Sequence, residues 1–159
     1  MKPEVRSVAA EVYMDDLLQT LEVTGQVPLV ISGNSMDPFL VHGRDTVFLT
    51  KWQQPAKRGQ MLLYRRSNGQ YVLHRVYKVG EQALQLIGDG QLTVEPGIRP
   101  EQVLATVSAV RRKGKLVKPG HPVWVFYEKI WIRLIRGRGR LLRLYRRLRP
   151  GTTTMEHKT

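Results

Sequence analysis

The sequence contains no cysteine among its 159 residues. Disulfide frameworks, thiolate zinc sites and thiol catalysis are therefore excluded, and the fold must be stable without covalent cross-links. Long apolar runs are also missing, because no stretch approaches the roughly 20 residues that a membrane-spanning helix requires. Acidic side chains occupy the part of the N-terminus where an export signal would have its apolar stretch. These absences predict a cytoplasmic protein.

Acidic residues are scarce at one end of the chain. The sequence has 26 Lys and Arg residues against 13 Asp and Glu residues, which gives a formal charge of +13. Residues 129–149 hold nine basic residues and no acidic residue, whereas residues 1–128 carry a net charge of only +4. The strongly basic character therefore belongs to the C-terminal part, and the rest has the composition of a globular domain large enough to bury a core.

Hydrophobic periodicity and turn residues divide the chain into four predicted segments. Residues 1–26 contain the pattern of a short amphipathic helix, which Gly25 is expected to end. Residues 27–118 contain short runs rich in β-branched and aromatic residues, separated by turn residues, which is typical of a mostly antiparallel β domain. Residues 119–150 carry the pattern of a basic amphipathic helix, and residues 151–159 are predicted to be a disordered end.

Two local patterns make sharper predictions about these segments. Asn68 and Gly69 separate two strand-like runs, and residues that accept positive φ at this position predict a hairpin with a type I′ turn. In the basic segment, leucines gather on one side and Lys or Arg residues repeat on the other at intervals of four and three. Gly137 and Gly139 lie inside that pattern, so they are expected to kink or split the helix.

Residues 31–40, ISGNSMDPFL, end the first apolar run with small polar residues, a pattern that is often a plain turn. A serine hydroxyl becomes an effective nucleophile only when a nearby base takes its proton and fixed donors receive the oxyanion. Ser35 follows Gly33 and Asn34 at a predicted strand-to-turn transition, where backbone N–H groups are free to contact a substrate carbonyl. Ser35 is therefore the candidate nucleophile, and Ser32 is a second hydroxyl in the same turn.

The base for such a serine would be a histidine, and only one of the four histidines lies in a strand pattern. His74 is in the middle of YVLHRV, where alternation places it on the opposite face from Leu73 and Arg75. Arg75 cannot act as the base, because a guanidinium does not release its proton. A single strand histidine is more often structural than catalytic, so the residues taken alone leave both interpretations open. The remaining histidines lie in an apparent turn, a linker and the polar end: His42, His121 and His157.

Three segments taken together resemble a known group of serine peptidases. SGNSMDPFLVHGRDTVFL, YVLHRV and LIGDGQLTVEPG have the order and spacing of the superfamily that includes type I signal peptidases and the self-cleaving domains of LexA-like repressors. The resemblance covers about residues 27–113. It implies a mainly β protein with a LexA/signal-peptidase-like antiparallel β fold, flanked by a short N-terminal helix and the basic C-terminal helix, and it implies serine endopeptidase activity.

The same resemblance implies roles for individual residues. Ser35, directly before Met36, matches the nucleophile of these peptidases. His74 stands where LexA-like and typical bacterial members have a lysine, and where the endoplasmic-reticulum type of signal peptidase, found also in some bacteria, has a histidine. A neutral imidazole is a sound replacement, because it is available as a base near pH 7 without the strong desolvation that a lysine requires. No metal or cofactor is implied.

Acidic residues complete the implied site. Histidine-type members use an acid after a Gly-Asp turn, so Asp89 is expected to orient His74, with Glu95 as the alternative. A simple Asx turn between two glycines is an equally good interpretation of Asp89. Asp45 matches an aspartate that holds the turn after the nucleophile. The residues expected to bind substrate or stabilise the oxyanion surround the nucleophile: Gly33, Asn34, Met36 and Pro38.

The resemblance does not extend to the ends of the chain. Signal peptidases carry a transmembrane helix before the serine segment and LexA-like repressors a DNA-binding domain, whereas this sequence has a short helix there. The basic C-terminal segment suits an anionic membrane surface, where each basic residue contributes about 1 kcal/mol. The alternatives are a helix packed on its own domain and, less favoured, a nucleic-acid site. The expected surface residues are Trp131, Arg133, Arg136, Arg140, Arg143 and Arg147.

The sequence therefore favours a serine endopeptidase that binds a peptide or protein segment in extended form against a strand edge. It would be cytoplasmic, with peripheral attachment to the inner face of the membrane through the basic segment. A non-catalytic module that binds peptides or membranes on the same scaffold is the alternative. A regulator that cleaves itself is the least favoured hypothesis, because no flexible linker of small residues precedes Ser35.

Overall fold

The computed structural model describes residues 3–149, and side chains are described from residue 11 onward. The predicted disordered end, residues 151–159, lies outside the described residues. The described chain contains three α-helices and eight strands, with these bounds: α1 Pro3–Thr24, β1 Gln26–Val30, β2 Thr46–Thr50, β3 Met61–Arg65, β4 Tyr71–Val79, β5 Leu84–Ile87, β6 Glu95–Ile98, β7 Val103–Arg112, β8 Lys115–Val117, α2 Pro122–Val125 and α3 Ile135–Leu148.

The strands form one sheet in the order β1-β2-β7-β3-β4-β5-β6, and β8 pairs with β7. Every pairing is antiparallel, so the prediction of a mostly antiparallel β domain flanked by helices is confirmed. The sequence does not predict β6 or β8. β6 contains Pro96 and Gly97, which are unfavourable inside strands, and only its pairing with β5 gives it a place at the edge of the sheet.

Apolar residues cover both faces of the sheet, and β3 shows this most clearly. Met61 and Leu63 belong to one buried cluster, whereas Leu62 and Tyr64 belong to the other. The sequence of a strand with both faces covered is a continuous apolar run, without the alternation of apolar and polar residues that a half-exposed strand shows. Each such side chain contributes roughly 1.5–3 kcal/mol when it is fully buried.

The N-terminal helix packs on the first of these clusters. Met14 and Leu21 are buried against it, and their spacing of seven residues places them on one face of α1. Gly25 adopts a φ of +77°, and its N–H donates to the carbonyl of Leu21 at 2.9 Å. The prediction that Gly25 ends the helix is confirmed, because this left-handed conformation is inexpensive only for glycine.

The predicted hairpin forms between β3 and β4, but its turn is not type I′. Gly69 has a φ of +89°, and Lys113 is the one non-glycine residue with positive φ in the described chain, so Asn68 is not left-handed. Arg66 N–H donates to the carbonyl of Gln70, and Gly69 N–H donates to the carbonyl of Arg66. The loop is therefore a type I turn followed by a left-handed glycine, which needs only one positive φ.

The C-terminal segment, defined here as residues 122–149, is not one helix. α2 is followed by a π-helical turn at Phe126–Ile130 and a 3₁₀ turn at Trp131–Arg133, and α3 starts after Leu134. The break therefore precedes Gly137 and Gly139, which lie inside α3. The bend folds the aromatic side chains of the segment onto Phe39, a residue of the loop after β1. Within residues 3–149, no helix combines the length and the apolarity that crossing a bilayer requires.

Candidate active site

Ser35 and His74 line the same cleft, which has a volume of about 250 Å³. Ser35 lies in the loop that connects β1 to β2 and is partly exposed, whereas His74 lies on β4 and is only 2% exposed. The cleft therefore brings together the candidate nucleophile and the candidate base, which are far apart in sequence. Four of the other sequence-predicted residues also line the cleft: Ser32, Gly33, Asn34 and Met36.

The serine loop is held by the turn that contains Gly88 and Gly90. Gly90 N–H donates to the carbonyl of Ser35 at 2.8 Å. A Cβ atom on Gly88 would lie 2.2 Å from the Ser35 carbonyl oxygen, and one on Gly90 would lie 2.6 Å from that of Asp37. Both contacts are shorter than van der Waals separation, so glycine is required at both positions for the two backbones to meet.

The expectation that Asp89 orients His74 is wrong in this structure. Both carboxylate oxygens of Asp89 accept hydrogen bonds from the guanidinium of Arg75, at 3.0 and 2.9 Å. The two side chains are each 1% exposed, and Arg75 also donates to the carbonyl of Gly59. The physical reason is strand alternation, because neighbouring side chains on β4 point to opposite faces. Asp89 lies on the Arg75 side and stabilises a buried charge.

On the other side of β4, His74 contacts Tyr64, and Tyr64 in turn contacts the alternative acid, Glu95. His74 Nδ1 lies 3.1 Å from the Tyr64 hydroxyl oxygen, which donates to Glu95 Oε2 at 2.5 Å. Glu95 Oε2 itself is 3.8 Å from His74 Nδ1. The guanidinium of Arg66 donates to both oxygens of Glu95, at 2.7 and 2.8 Å. Four side chains therefore form one connected polar network beside the cleft.

Tyr64 and Arg66 are not predicted from the sequence, although the hairpin register contains a signal for Tyr64. Tyr64 pairs with Val72 across β3 and β4. His74 is two residues further along β4, so it is the diagonal neighbour of Tyr64 on the same face, within reach of a long aromatic side chain. Arg66 has no comparable signal, because it lies in the loop and reaches Glu95 through the tertiary fold.

Burial and neighbouring charges determine the protonation of this network. Burial lowers the pKa of His74 to about 4, and the Glu95 carboxylate only partly opposes this effect. The hydrogen bonds from Arg66 lower the pKa of Glu95, although burial opposes them. Burial, and then the hydrogen bond to Glu95, raises the pKa of Tyr64. At neutral pH His74 is therefore an uncharged base, Glu95 an anion and Tyr64 a neutral phenol.

The second ring nitrogen of His74, Nε2, keeps some accessible surface. Nε2 makes no hydrogen bond to any residue that the structure describes, and protein atoms do not fully enclose it. Because His74 lines the cleft, Nε2 is the atom that can accept a proton there. Ser35 and His74 form no direct hydrogen bond within residues 3–149, an arrangement that catalytic pairs often show before substrate binds.

One predicted oxyanion donor is already occupied. Gly33 N–H donates to His42 Nδ1 at 3.0 Å, so the expectation that Gly33 stabilises an oxyanion is wrong in this structure. The N–H groups of Asn34, Ser35 and Met36 make no hydrogen bond to the described residues. These three groups are therefore the backbone donors that remain for a carbonyl in the cleft.

Pro38 and Asp45 belong to the serine loop but do not line the cleft. Pro38 is buried and does not line the cleft, so it does not contact a substrate there. Asp45 is fully buried and accepts from the N–H groups of Val41 and Lys113. Burial acts to raise the pKa of Asp45, but the Arg44 guanidinium and the backbone donors lower it overall. These contacts hold the end of the loop where β2 begins.

The C-terminal segment packs on the turn that supports Ser35. Trp131 is 5% exposed, and its indole N–H donates to the carbonyl of Asp89 at 2.9 Å. The expectation that Trp131 contacts a membrane is therefore wrong. Arg138, which is fully buried, donates to the carbonyls of Gly88 and Gln91. Arg146 donates to the carbonyl of Gly90 at 3.2 Å. Three side chains of this segment therefore donate hydrogen bonds to backbone carbonyls of the turn.

The opposite face of α3 is exposed and combines leucines with arginines. The sequence pattern groups these leucines on one side, and the structure leaves them exposed, from 39% for Leu134 just before α3 to 73% for Leu148 at its end; Leu141 and Leu144 lie between them. The five predicted surface arginines are also exposed: Arg133, Arg136, Arg140, Arg143 and Arg147. The helix therefore has an inner face that holds the site and an outer basic face with an apolar stripe.

Comparison with protein-family models, with curated proteins and with solved structures finds no match for this chain. The resemblance to signal peptidases and LexA-like peptidases therefore depends on the quoted sequence segments alone.

Proposed function

We propose that the protein is a serine endopeptidase in which Ser35 is the nucleophile and His74 the base. The observation that carries this proposal is the shared cleft, which Ser35 lines together with a neutral histidine whose Nε2 is not fully enclosed. Ser35 attacks a peptide carbonyl while His74 Nε2 accepts the hydroxyl proton and then transfers it to the departing amine. Water, activated by the same nitrogen, then hydrolyses the acyl-enzyme and regenerates the serine.

The substrate we propose is an extended peptide that pairs with a free strand edge. β3 pairs with β4 from Tyr71 to Arg75, whereas β5 pairs with the other side of β4 only from Arg75 onward. Among the residues that the structure describes, no strand pairs with the second edge of residues 71–74, and these residues also line the cleft. A peptide added at this edge gains main-chain hydrogen bonds. The apolar side chains of Ile31 and Met36 in the cleft favour an apolar residue near the cleaved bond.

Active-site labelling tests this function directly. A fluorophosphonate probe is expected to add one adduct to the wild-type chain by intact mass, and Ser35→Ala and His74→Gln are expected to abolish labelling. Ser32→Ala is the matched control, because Ser32 lines the same cleft and should leave labelling unchanged. Cleavage of a quenched model peptide by Ser35→Ala and His74→Gln at the wild-type rate would refute the proposal.

A non-catalytic peptide-binding module on the same scaffold is the second candidate. The absence of a direct hydrogen bond between Ser35 and His74 in the described chain favours it. The module would still bind an extended peptide at the free edge of β4. A peptide that binds wild type and Ser35→Ala with equal affinity and is never cleaved, together with no fluorophosphonate adduct, would establish this function instead.

We further propose that the outer face of α3 attaches the enzyme to the cytoplasmic face of an anionic membrane. The exposed leucine stripe and the adjoining arginines support this proposal, because apolar burial and attraction to anionic headgroups act together at such surfaces. Truncation is a poor test, since the same segment holds the turn beside Ser35. Point substitutions on the outer face are therefore required.

The membrane proposal is tested by co-sedimentation with vesicles of phosphatidylglycerol and phosphatidylcholine. Leu144→Ser with Leu148→Ser is expected to reduce pelleting strongly, and binding should fall as salt is added. Leu116→Ser is a matched control, because Leu116 is 52% exposed and lies on β8, outside the C-terminal segment. Equal pelleting of wild type and the double variant would contradict the proposal.

A further inference from the structure

We propose that Tyr64 is the positioning residue of the site, and that it transmits the orienting effect of Glu95 to His74. This inference depends on the proposed role of His74 as a base, and it identifies the group that keeps the imidazole in the orientation and tautomer that a base requires. In the structure the carboxylate does not contact the imidazole directly, because Glu95 Oε2 lies 3.8 Å from His74 Nδ1. The Tyr64 hydroxyl fills this gap, at 3.1 Å from the nitrogen and 2.5 Å from the carboxylate.

Counting protons in this network fixes the tautomer of His74. Arg66 donates two hydrogen bonds to Glu95, so the carboxylate is ionised and can only accept. The single hydroxyl proton of Tyr64 is therefore directed to Glu95. The Tyr64 oxygen must then accept from His74, so the proton of the neutral imidazole is on Nδ1. Nε2 keeps its lone pair and serves as the base.

The same contacts stabilise the imidazole after it has taken the proton from Ser35. The imidazolium then donates from Nδ1 to Tyr64, and the negative charge of Glu95 is less than 4 Å away. Arg66 keeps this charge in place and is the other charged side chain of the network. Arg75 and Asp89 neutralise one another on the opposite side of β4. Glu95 therefore offsets part of the cost of protonating the buried imidazole without a direct carboxylate–histidine contact, although burial and the charge of Arg66 still lower the pKa of His74 overall.

The tautomer of His74 tests the inference without any enzyme assay. In protein labelled with ¹⁵N, long-range ¹H–¹⁵N correlation spectra at pH 7 distinguish the two neutral tautomers, and His74→Gln assigns the signal. Wild type is expected to show Nδ1 protonated and Nε2 unprotonated. Tyr64→Phe removes the acceptor and is expected to move the His74 signals toward a mixture of both tautomers.

Tyr71→Phe is the matched control. Tyr71 also lines the cleft, but its hydroxyl donates to Asp15 and not to the histidine. The control should therefore leave the tautomer unchanged. If wild type has Nε2 protonated, or if Tyr64→Phe leaves the His74 signals unchanged, the inference is refuted whether or not the protein cleaves peptides.

Kinetics give a second readout that separates positioning from substrate binding. In an active enzyme, Tyr64→Phe is expected to lower kcat by about tenfold or more, a part of the roughly 10²–10⁴-fold that a general base supplies. KM should stay within about twofold, because Tyr64 is buried and does not line the cleft. An unchanged kcat would refute the role of Tyr64 while leaving Ser35 and His74 in place.

Discussion

The buried histidine should make the stability of the protein depend on pH in a specific window. His74 has a pKa of about 4 in the folded protein and 6.5 in an unfolded chain. Because the folded pKa is the lower one, the unfolded chain binds the proton first as pH falls. The contribution of His74 is therefore complete above pH 6.5 and is lost progressively toward pH 4.

The size of this effect follows from the two pKa values. Linkage gives a loss in the free energy of unfolding of about 1.4 kcal/mol at pH 5.5 and about 3 kcal/mol at pH 4, relative to pH 8. In the His74→Gln variant, the side chain at position 74 does not titrate, so this contribution to the pH dependence is absent. The difference in stability between wild type and His74→Gln should therefore shift by these amounts, in favour of the variant as pH falls.

Urea denaturation at pH 8, 5.5 and 4, followed by tryptophan fluorescence, measures the difference. The contribution of Glu95 and the other carboxylates to acid sensitivity cancels in this comparison, because both proteins contain them. Leu116→Ser is the control, because Leu116 is exposed on β8 and its replacement introduces and removes no ionisable group. Parallel stability curves for wild type and His74→Gln would show that His74 is not buried as the structure describes.

Three further predictions concern the turn that supports Ser35 and the helix α3 that packs on it. Gly88→Ala is expected to lower the free energy of unfolding by about 1–3 kcal/mol and to impair fluorophosphonate labelling, because its Cβ would meet the Ser35 carbonyl oxygen. Gly137→Ala, where a Cβ meets open space, should instead stabilise the protein by about 0.4–1 kcal/mol in the same urea titration. Asp89→Asn is expected to cost about 3–5 kcal/mol, since it leaves the buried charge of Arg75 without its anion. Wild-type stability of Asp89→Asn would contradict the role given to that pair.

Local patterns in the sequence predict several features correctly because few residues decide each of them. The end of α1 at Gly25 requires one left-handed residue, and the hairpin between β3 and β4 requires two strand-forming runs and a compact turn. The detailed turn type fails, because Asn68 and Gly69 are compatible with more than one loop. The exposed leucines of α3 also follow the predicted side of the helix, although the sequence cannot show which side packs on the domain.

The acid assignments show where sequence spacing is insufficient. Asp89 and Glu95 are six positions apart, and both are plausible partners of His74 from spacing alone. The pairing of β4 with β5 and of β5 with β6 places Asp89 beside Arg75 and Glu95 beside Tyr64. The choice between them is therefore a property of the sheet, because alternation sends neighbouring side chains of β4 to opposite faces.

The sequence by itself determined most of the strands, the end of α1 at Gly25 and the choice of two candidate residues, a serine in a polar turn and a histidine in a strand. Only the tertiary structure decided which acid reaches the histidine, that a tyrosine lies between them, and that a basic segment holds the serine loop. Periodicity and turn chemistry act over a few residues and can be read along the chain. Hydrogen bonds across a sheet join residues that are dozens of positions apart, so only the folded chain reveals them.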